Sequence, residues 1–377
     1  MNYGQLICIS LVIASAFCSA ADRQPILKLI PFNRAVTNKP RYICYNNNDN
    51  SFTIAGSPGV QLLQRTQADN ITFKVDGGDW KLLKDDKKIV AFSNREMLIV
   101  NLNNRYNDIT IFMQNPKRMR SVALDSDKNT IFIGYNDYVN DICGIREYCY
   151  SSHSYKDFDF KPSETIFHCM VLNLKKDILC LLNFNTISLH KTDDLTSVFK
   201  ECNVPVNHPS FMKIFGNMLV AYDQKTICIM DGIDDNDSPL ASRVLQQYPS
   251  GFGYRKSIQA IDLHPSGLLV ALVSHGFSAG SSVYYWDIAT GKKVHKTILP
   301  IITGFDFCFR DDGLEIAIVS HNDCMVTPVS GEIIKQYILL PLWMKLKTIQ
   351  KECNIQQDVI QYCMNVFTAY CNKKSIQ

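Results

Sequence analysis

The chain has no block of consecutive basic residues: 39 Lys and Arg face 36 Asp and Glu, a net charge of +3 over 377 residues. That near balance excludes an extended nucleic-acid footprint. The densest charged run, residues 84–88 (KDDKK), mixes both signs and reads as a solvated turn. No His-Glu-x-x-His or Cys-x-x-Cys pair occurs, so metal-ligand spacing is absent. There is likewise no Gly-x-Ser-x-Gly elbow, no phosphate-cradling Gly loop and no dinucleotide fingerprint, which excludes the enzyme classes that carry their chemistry on a linear motif. Beyond the first 20 residues no apolar run is long enough to span a bilayer; the stretch around 337–344 is broken by Pro341 and flanked by Lys335 and Lys345. The last residues, KKSIQ, form neither a retention signal nor a lipidation box.

Residues 1–20 have the character of a secretory leader. The apolar run Leu6 to Phe17 has the length of a signal core, and Ser19, Ala20 and Ala21 suit a signal-peptidase site. The mature chain is therefore expected in the secretory lumen or outside the cell. Removing Cys8 and Cys18 with the leader leaves 12 of the 14 cysteines, an even number consistent with an oxidising compartment. Cys143 and Cys149 in DICGIREYC are expected to staple a local loop. Cys169 and Cys180, which flank the turn NLKKD, either bridge a hairpin or are two small buried apolar groups. Asn70 and Asn236 head sequons and are the glycosylation candidates.

After the leader, 46% hydrophobic residues supply an ample core, arranged as short β-forming runs between Asn, Asp, Gly and Lys turns. The stretches 260–275 and 306–321 align at an offset of 46, matching Gly267 to Gly313, Ala271 to Ala317 and Ser274-His275 to Ser320-His321. A second match aligns 289–294 with 329–334. Tandem units of this spacing cannot bury both faces of a sheet alone, but neighbours stacked in a ring bury each other's. Weaker copies at 42–64, 81–104, 120–137, 168–191 and 211–232 bring the expected count to seven, with an insertion holding Cys143 and Cys149 after the third. The strand-like segment 24–32 is expected to close the ring beside 332–341. From Leu342 onward Val359, Cys363, Val366 and Tyr370 recur at helical spacing, which predicts a helical tail over 342–377.

Residues 255–296, through LHPSG, the apolar run ending at Ser274 and VYYWDIATGKKV, resemble a WD40 repeat; residues 302–337 resemble a degenerate one. The resemblance implies an all-β, seven-bladed WD40-like β-propeller over 24–341, with a short α-helical C-terminal extension. It further implies a non-catalytic platform for a protein partner, with no cofactor and as a monomer. Ser274 and Trp286 fill two roles of the repeat's hydrogen-bonded set. The Trp286 ring is expected between blades with its N–H toward Ser274, and Asp287 to hold the following turn.

The remaining candidates for chemistry are few. His275 and His321 occupy equivalent positions and so belong to one end of the ring, either lining a shared surface or simply ending buried strands. DGIDDNDSP, 231–239, gathers four carboxylates without the EF-hand register, and reads as a solvated turn. Two further functions compete with the platform: a propeller hydrolase or lyase, which requires carboxylates and His converging on the central channel, and a carbohydrate binder, which requires exposed aromatic rings.

Overall fold

The computed structural model describes Lys28 and Leu29 and most of residues 39–341, apart from several connecting segments; 1–27 and 342–377 lie outside the described residues. The described residues form seven four-stranded antiparallel sheets. Sheet 1 holds β2 (Lys39–Asn46), β3 (Ser51–Ser57), β4 (Val60–Leu63) and β5 (Ile71–Phe73). Sheet 2 holds β6 (Lys81–Lys84), β7 (Lys88–Phe92), β8 (Glu96–Asn101) and β9 (Asp108–Phe112). Sheet 3 follows with β10 (Lys117–Asp125), β11 (Thr130–Asp137), β12 (Ile142–Cys149) and β13 (Ser154–Phe160). Sheet 4 is β14 (Phe167–Leu172), β15 (Ile178–Asn183), β16 (Thr186–Lys191) and β17 (Asp194–Asn203). Sheet 5 is β18 (Phe211–Phe215), β19 (Met218–Tyr222), β20 (Thr226–Asp231) and β21 (Ala241–Gln247). Sheet 6 is β22 (Ser257–Leu263), β23 (Leu269–Ser274), β24 (Ser281–Asp287) and β25 (Lys292–Leu299). Sheet 7 takes β26 (Gly304–Phe309), β27 (Glu315–Ser320) and β28 (Cys324–Pro328) from the end of the chain and β1 (Lys28–Leu29) from its beginning.

Within a sheet the strands run in sequence order, and burial falls from the middle outward. β11 and β23 are buried at every residue, as their continuous apolar sequences require, whereas the fourth strands β13 and β21 are largely exposed. Successive side chains leave a strand on opposite faces, so each sheet seals two neighbours. On β23 and β24, Val270, Leu272, Val283 and Tyr285 pack with Phe307, Ile316 and Ile318 of sheet 7. Alternate residues of the same strands, Leu269, Ala271, Val273, Tyr284 and Trp286, pack with Val220, Ile227 and Ile229 of sheet 5. First strands of successive sheets meet around the ring, and β2 touches β26 to complete it. The fold is an all-β propeller.

Closure differs in detail from the sequence expectation. Lys28 and Leu29 pair with Val326 and Met325 of β28, not with 332–341. That later segment is helical: Gly331–Ile333 form one turn and Ile334–Leu339 continue it as a π-helix. Ser330 caps the turn, its Oγ accepting from the Glu332 N–H at 3.4 Å. The physical reason is that Ile333 and Ile334 are both buried in the sheet 6–sheet 7 core. Consecutive residues on a strand would have pointed to opposite faces.

A second difference lies in sheet 3. The segment bearing Cys143 and Cys149 is no insertion; it is β12, the third strand of an ordinary sheet. Gly144 sits opposite Tyr135, and the Tyr135 side chain crosses it to reach Asp159 on β13. A Cβ on Gly144 would stand 2.6 Å from the tyrosine oxygen. No helix among the described residues is long and apolar enough to cross a membrane.

Candidate functional site

The first strand of each sheet starts at the same end of the ring as the turn joining its second and third strands; Lys117, for example, pairs with Asp137. At this end five first strands carry a register shift that leaves Arg41, Arg120, His168, Gln259 and Phe305 as extra residues. Such bulges bend a strand and re-aim the side chain they insert. The Arg41 guanidinium lies 5.8 Å from the Phe305 ring centre, so bulge residues of sheets 1 and 7 meet across the closure.

On sheet 3 the same end carries an exposed tip beside two cations. Tyr138 is 52% and Val139 77% exposed. The guanidinium carbons of Arg118 and Arg120 lie 5.7 and 5.4 Å from the Tyr138 ring centre. Asp137 holds the tip in shape, its Oδ1 accepting from the Val139 and Asn140 N–H groups, both at 3.1 Å. Burial, and then the charge of Arg118, lower the pKa of Arg120 from its ordinary value. No ion pair of either arginine occurs among the described residues.

Near the ring axis, first strands bring a second group together. Lys213 on β18 reaches Asp262 on β22, Nζ to Oδ1 at 3.3 Å. Asp306 on β26 accepts from the Ile43 N–H of β2 at 3.1 Å. Burial drives the Asp306 carboxyl up to about 7, against the opposing pull of Lys213. Burial opposes the charge on Lys213, but Asp262 and Asp306 outweigh it and raise its pKa. Lys213 and Asp262 still expose 40% and 26% of their side chains. The group holds four sheets together electrostatically and can store a proton at Asp306. Among the described residues no group of three or more His, Cys, Asp or Glu is placed to hold a metal.

The residues singled out from sequence fall as follows. Trp286 fills the space between sheets 5 and 6, where it is 1% exposed. Its expected partner Ser274 cannot serve. Trp286 pairs with Leu269 and Ser274 with Ser281, which puts the two on opposite faces and at opposite ends of the strand pair. Ser274 Oγ instead accepts from the Gly276 N–H at 3.3 Å. Asp287 Oδ1 accepts from the Ala289 N–H at 2.9 Å and the Thr290 N–H at 3.3 Å, so it holds the turn.

The expected Cys143–Cys149 disulfide does not exist, and of the two readings of Cys169 and Cys180 the unbridged one holds. Cys143 and Cys149 end the same strand, one opposite Phe160 and the other opposite Ser154, about 20 Å apart at strand rise. Cys169 pairs with Leu182 and Cys180 with Val171; such diagonal neighbours stand about 7–8 Å apart, beyond ordinary disulfide reach. Cys180 is a fully buried apolar filler among Leu182, Ile187 and Leu189. His275 sits at the turn end of sheet 6 with Nε2 2.9 Å from Ser282 Oγ. His321, Asn70 and Asn236 lie outside the described residues, as do 235–239 of the acidic turn. Asp234 from that turn is committed to Lys175, at 3.0 Å.

The arginine–tyrosine tip and the Lys213 group escaped sequence reasoning. The tip left one signal, an aromatic and a Val inside the polar turn YNDYVND, with RMR one hairpin earlier. The Lys213 group left none, because its members come from separate repeats.

No family model matches the chain, and no curated protein matches it. Solved structures do. The β-propeller domain of Cps50 (Swd1) from Myceliophteria thermophila matches with TM-score 0.63 at 8% identity, covering 81% of this chain and all of that one. The WD40 β-propeller domain of Doa1 matches at 0.57 and 13%, covering 82% and 99%. The Pan2 WD40 domain of Neurospora crassa matches at 0.59 and 11%, covering 80% and 93%.

Proposed function

We propose that this WD40-like β-propeller is a non-catalytic platform that docks a protein partner on the end of the ring bearing Arg118, Arg120, Tyr138 and Val139. The observation that carries the reading is the exposed Tyr138–Val139 tip beside two cations that make no ion pair among the described residues. Tyrosine and arginine are the side chains that dominate interface energetics, and a solvent-facing apolar tip costs free energy until it is covered. The fold likeness to WD40 domains agrees with such a role.

The leader-like residues 1–20 support a location in the secretory lumen or outside the cell. The described cysteines do not add to that support, since neither Cys143–Cys149 nor Cys169–Cys180 is bridged. Amino-terminal sequencing of the mature protein is expected to begin near Ala20 or Ala21.

The test of the platform is crosslinked capture from the native secretory fluid with the wild type and with Val139→Asp. A partner recovered by the wild type and lost with V139D supports the reading; equal recovery by both places docking elsewhere. A hydrolase or lyase reading rests on the Lys213–Asp262–Asp306 group, and it requires a turnover that Asp306→Asn abolishes. Two exposed tyrosines, Tyr138 and Tyr155, each carry a guanidinium close to the ring, which weighs against sugar stacking on them.

A further inference from the structure

Beside the arginine–tyrosine tip, the seam between sheets 3 and 4 holds buried polar atoms that no group among the described residues satisfies. Asn136 is 4% exposed, yet neither its Nδ2 nor its Oδ1 has a hydrogen-bond partner. The same is true of Arg120 Nε and of Asn183 Oδ1. A buried polar atom without a partner costs about 1–3 kcal/mol, so a set of them at one place asks what completes it.

Strand register brings them together. Phe132 on β11 and Leu179 and Leu181 on β15 pack into the core between sheets 3 and 4. Asn136 and Asn183, each an even number of residues further along its strand, therefore face the same seam. Their level in it is also shared. The Met170 methyl lies over Gly134, 3.5 Å from where a Cβ would stand, and Met170 pairs with Leu181. Two residues beyond Gly134 comes Asn136; two beyond Leu181 comes Asn183. Ser121 Oγ fixes the seam below them by accepting from the Met170 N–H at 2.8 Å. Arg118 pairs with Asn136, and the Arg120 bulge follows.

The chemistry of the missing partners is specific. Arg120 Nε and Asn136 Nδ2 are donors that need an acceptor, whereas Asn136 Oδ1 and Asn183 Oδ1 are acceptors that need a donor. A simple anion offers acceptors alone. A polypeptide with an Asp or Glu side chain offers both, through its carboxylate and its main-chain N–H groups. The two guanidinia supply the charge complement, in the planar geometry that carboxylates favour, and Val139 gives an apolar neighbour a place to pack.

We infer that the mouth of the seam between sheets 3 and 4 is a docking site for an acidic segment of a partner polypeptide. One carboxylate lies between Arg118 and Arg120 in place of the Tyr138 ring, and the main chain of the segment completes the Asn136 and Asn183 amides. The inference rests on the platform reading and names the chemistry of its partner.

The test is fluorescence anisotropy at low ionic strength with a short labelled peptide of alternating Glu and Leu. Expected is saturable binding, weakened about tenfold by Asn136→Leu, the loss of about one net hydrogen bond, and abolished by Arg118→Gln with Arg120→Gln. A Lys-for-Glu peptide is expected not to bind. Circular dichroism and thermal melts check that the variants are folded, and Asn183→Leu gives an independent probe of the seam from the other sheet. Absence of saturable binding overturns the inference, as does equal binding by the double Arg variant or full competition by inorganic phosphate. If the double Arg variant still captures a partner that V139D loses, the platform stands and the acidic-segment site falls.

Discussion

His264 is bonded to Gly313 across the seam between sheets 6 and 7: Nε2 donates to the glycine carbonyl at 2.9 Å, while Nδ1 accepts from the Ser266 hydroxyl at 2.7 Å. The ring is wholly buried and lies edge-on to Phe309 at 4.9 Å. Both nitrogens are committed in the neutral form, since a protonated Nδ1 would have no lone pair to offer. Gly313 has φ +69°, and a Cβ there would come within 2.9 Å of the imidazole. Gly313→Ala is therefore expected to destabilise the fold by about 1–3 kcal/mol, more than His264→Gln, which keeps part of the bonding. Urea melts of the two variants check the order.

Acid sensitivity follows from the same ring. Burial lowers the pKa of His264 and of His190 below the ordinary 6.5, so the folded state holds fewer protons than the unfolded one. Their contribution is fully present above pH 6.5 and is lost as the pH falls below it, at up to about 1.4 kcal/mol per pH unit for each proton. Urea midpoints between pH 8 and 5 are expected to fall on the acid side, and His264→Gln is expected to reduce the slope.

Asp306 acts in the opposite sense. Its carboxyl titrates near 7 when folded and near 3.8 otherwise, so the folded state keeps the extra proton and stability declines as pH rises through that window. Asp306→Asn is expected to raise the urea midpoint at pH 8 relative to the wild type and to leave it almost unchanged at pH 4. It should also steepen the histidine-driven loss between pH 6.5 and 5, which Asp306 otherwise masks.

Gly144 gives a steric prediction. Any side chain there collides with the Tyr135 oxygen and with the Phe158 carbonyl, 2.7 Å away. Displacing Tyr135 also disturbs Lys117, whose Nζ bonds the Tyr135 oxygen at 3.0 Å and Asp157 at 2.7 Å. Gly144→Ala is expected to cost about 1–3 kcal/mol, and Gly144→Ala with Tyr135→Phe less than the sum of the two single changes, because the collision involves the deleted hydroxyl. Thermal melts of the four proteins decide this.

Thiol chemistry separates Cys143 from Cys149. Cys149 is partly exposed, and hydrogen bonds from Ser151 and then Ser152 lower its thiol to about 7, so it is substantially thiolate at neutral pH. Cys143 is buried in the sheet 3–sheet 4 core. Iodoacetamide at pH 7.5 followed by peptide mapping is expected to label Cys149 well before Cys143. A linkage between the two in unreduced digests would contradict their placement on one strand.

The sheets could be read from sequence where a repeat kept its turn chemistry. The Pro-Ser-Gly and Asp-Asp-Gly turns ending at Gly267 and Gly313 mark equivalent corners, and both glycines have the positive φ that such corners need. Trp286 was legible as a spacer between sheets because an aromatic on a β-rich run needs a large buried surface. Its relation to Ser274 was not, because face assignment depends on register and a shift of one residue inverts it. The Cys143–Cys149 pair differs for a similar reason: six residues of separation suits a loop, but on a strand it is a full length. The Asn136–Asn183 recess and the Lys213 group were invisible, since they depend on which sheets adjoin. Each residue alone is an ordinary polar side chain.

The shared last sheet also governs when the ring can exist. Its outer strand is made before the other six sheets and waits at Lys28 until Met325 and Val326 have left the ribosome. Six sheets can assemble on the nascent chain as they emerge, but the wheel stays open, with the flanks of sheets 1 and 6 uncovered, until β26 and the strands after it arrive. A ribosome stalled before β26 has emerged would therefore display an incomplete arc with two apolar flanks, a natural substrate for chaperones.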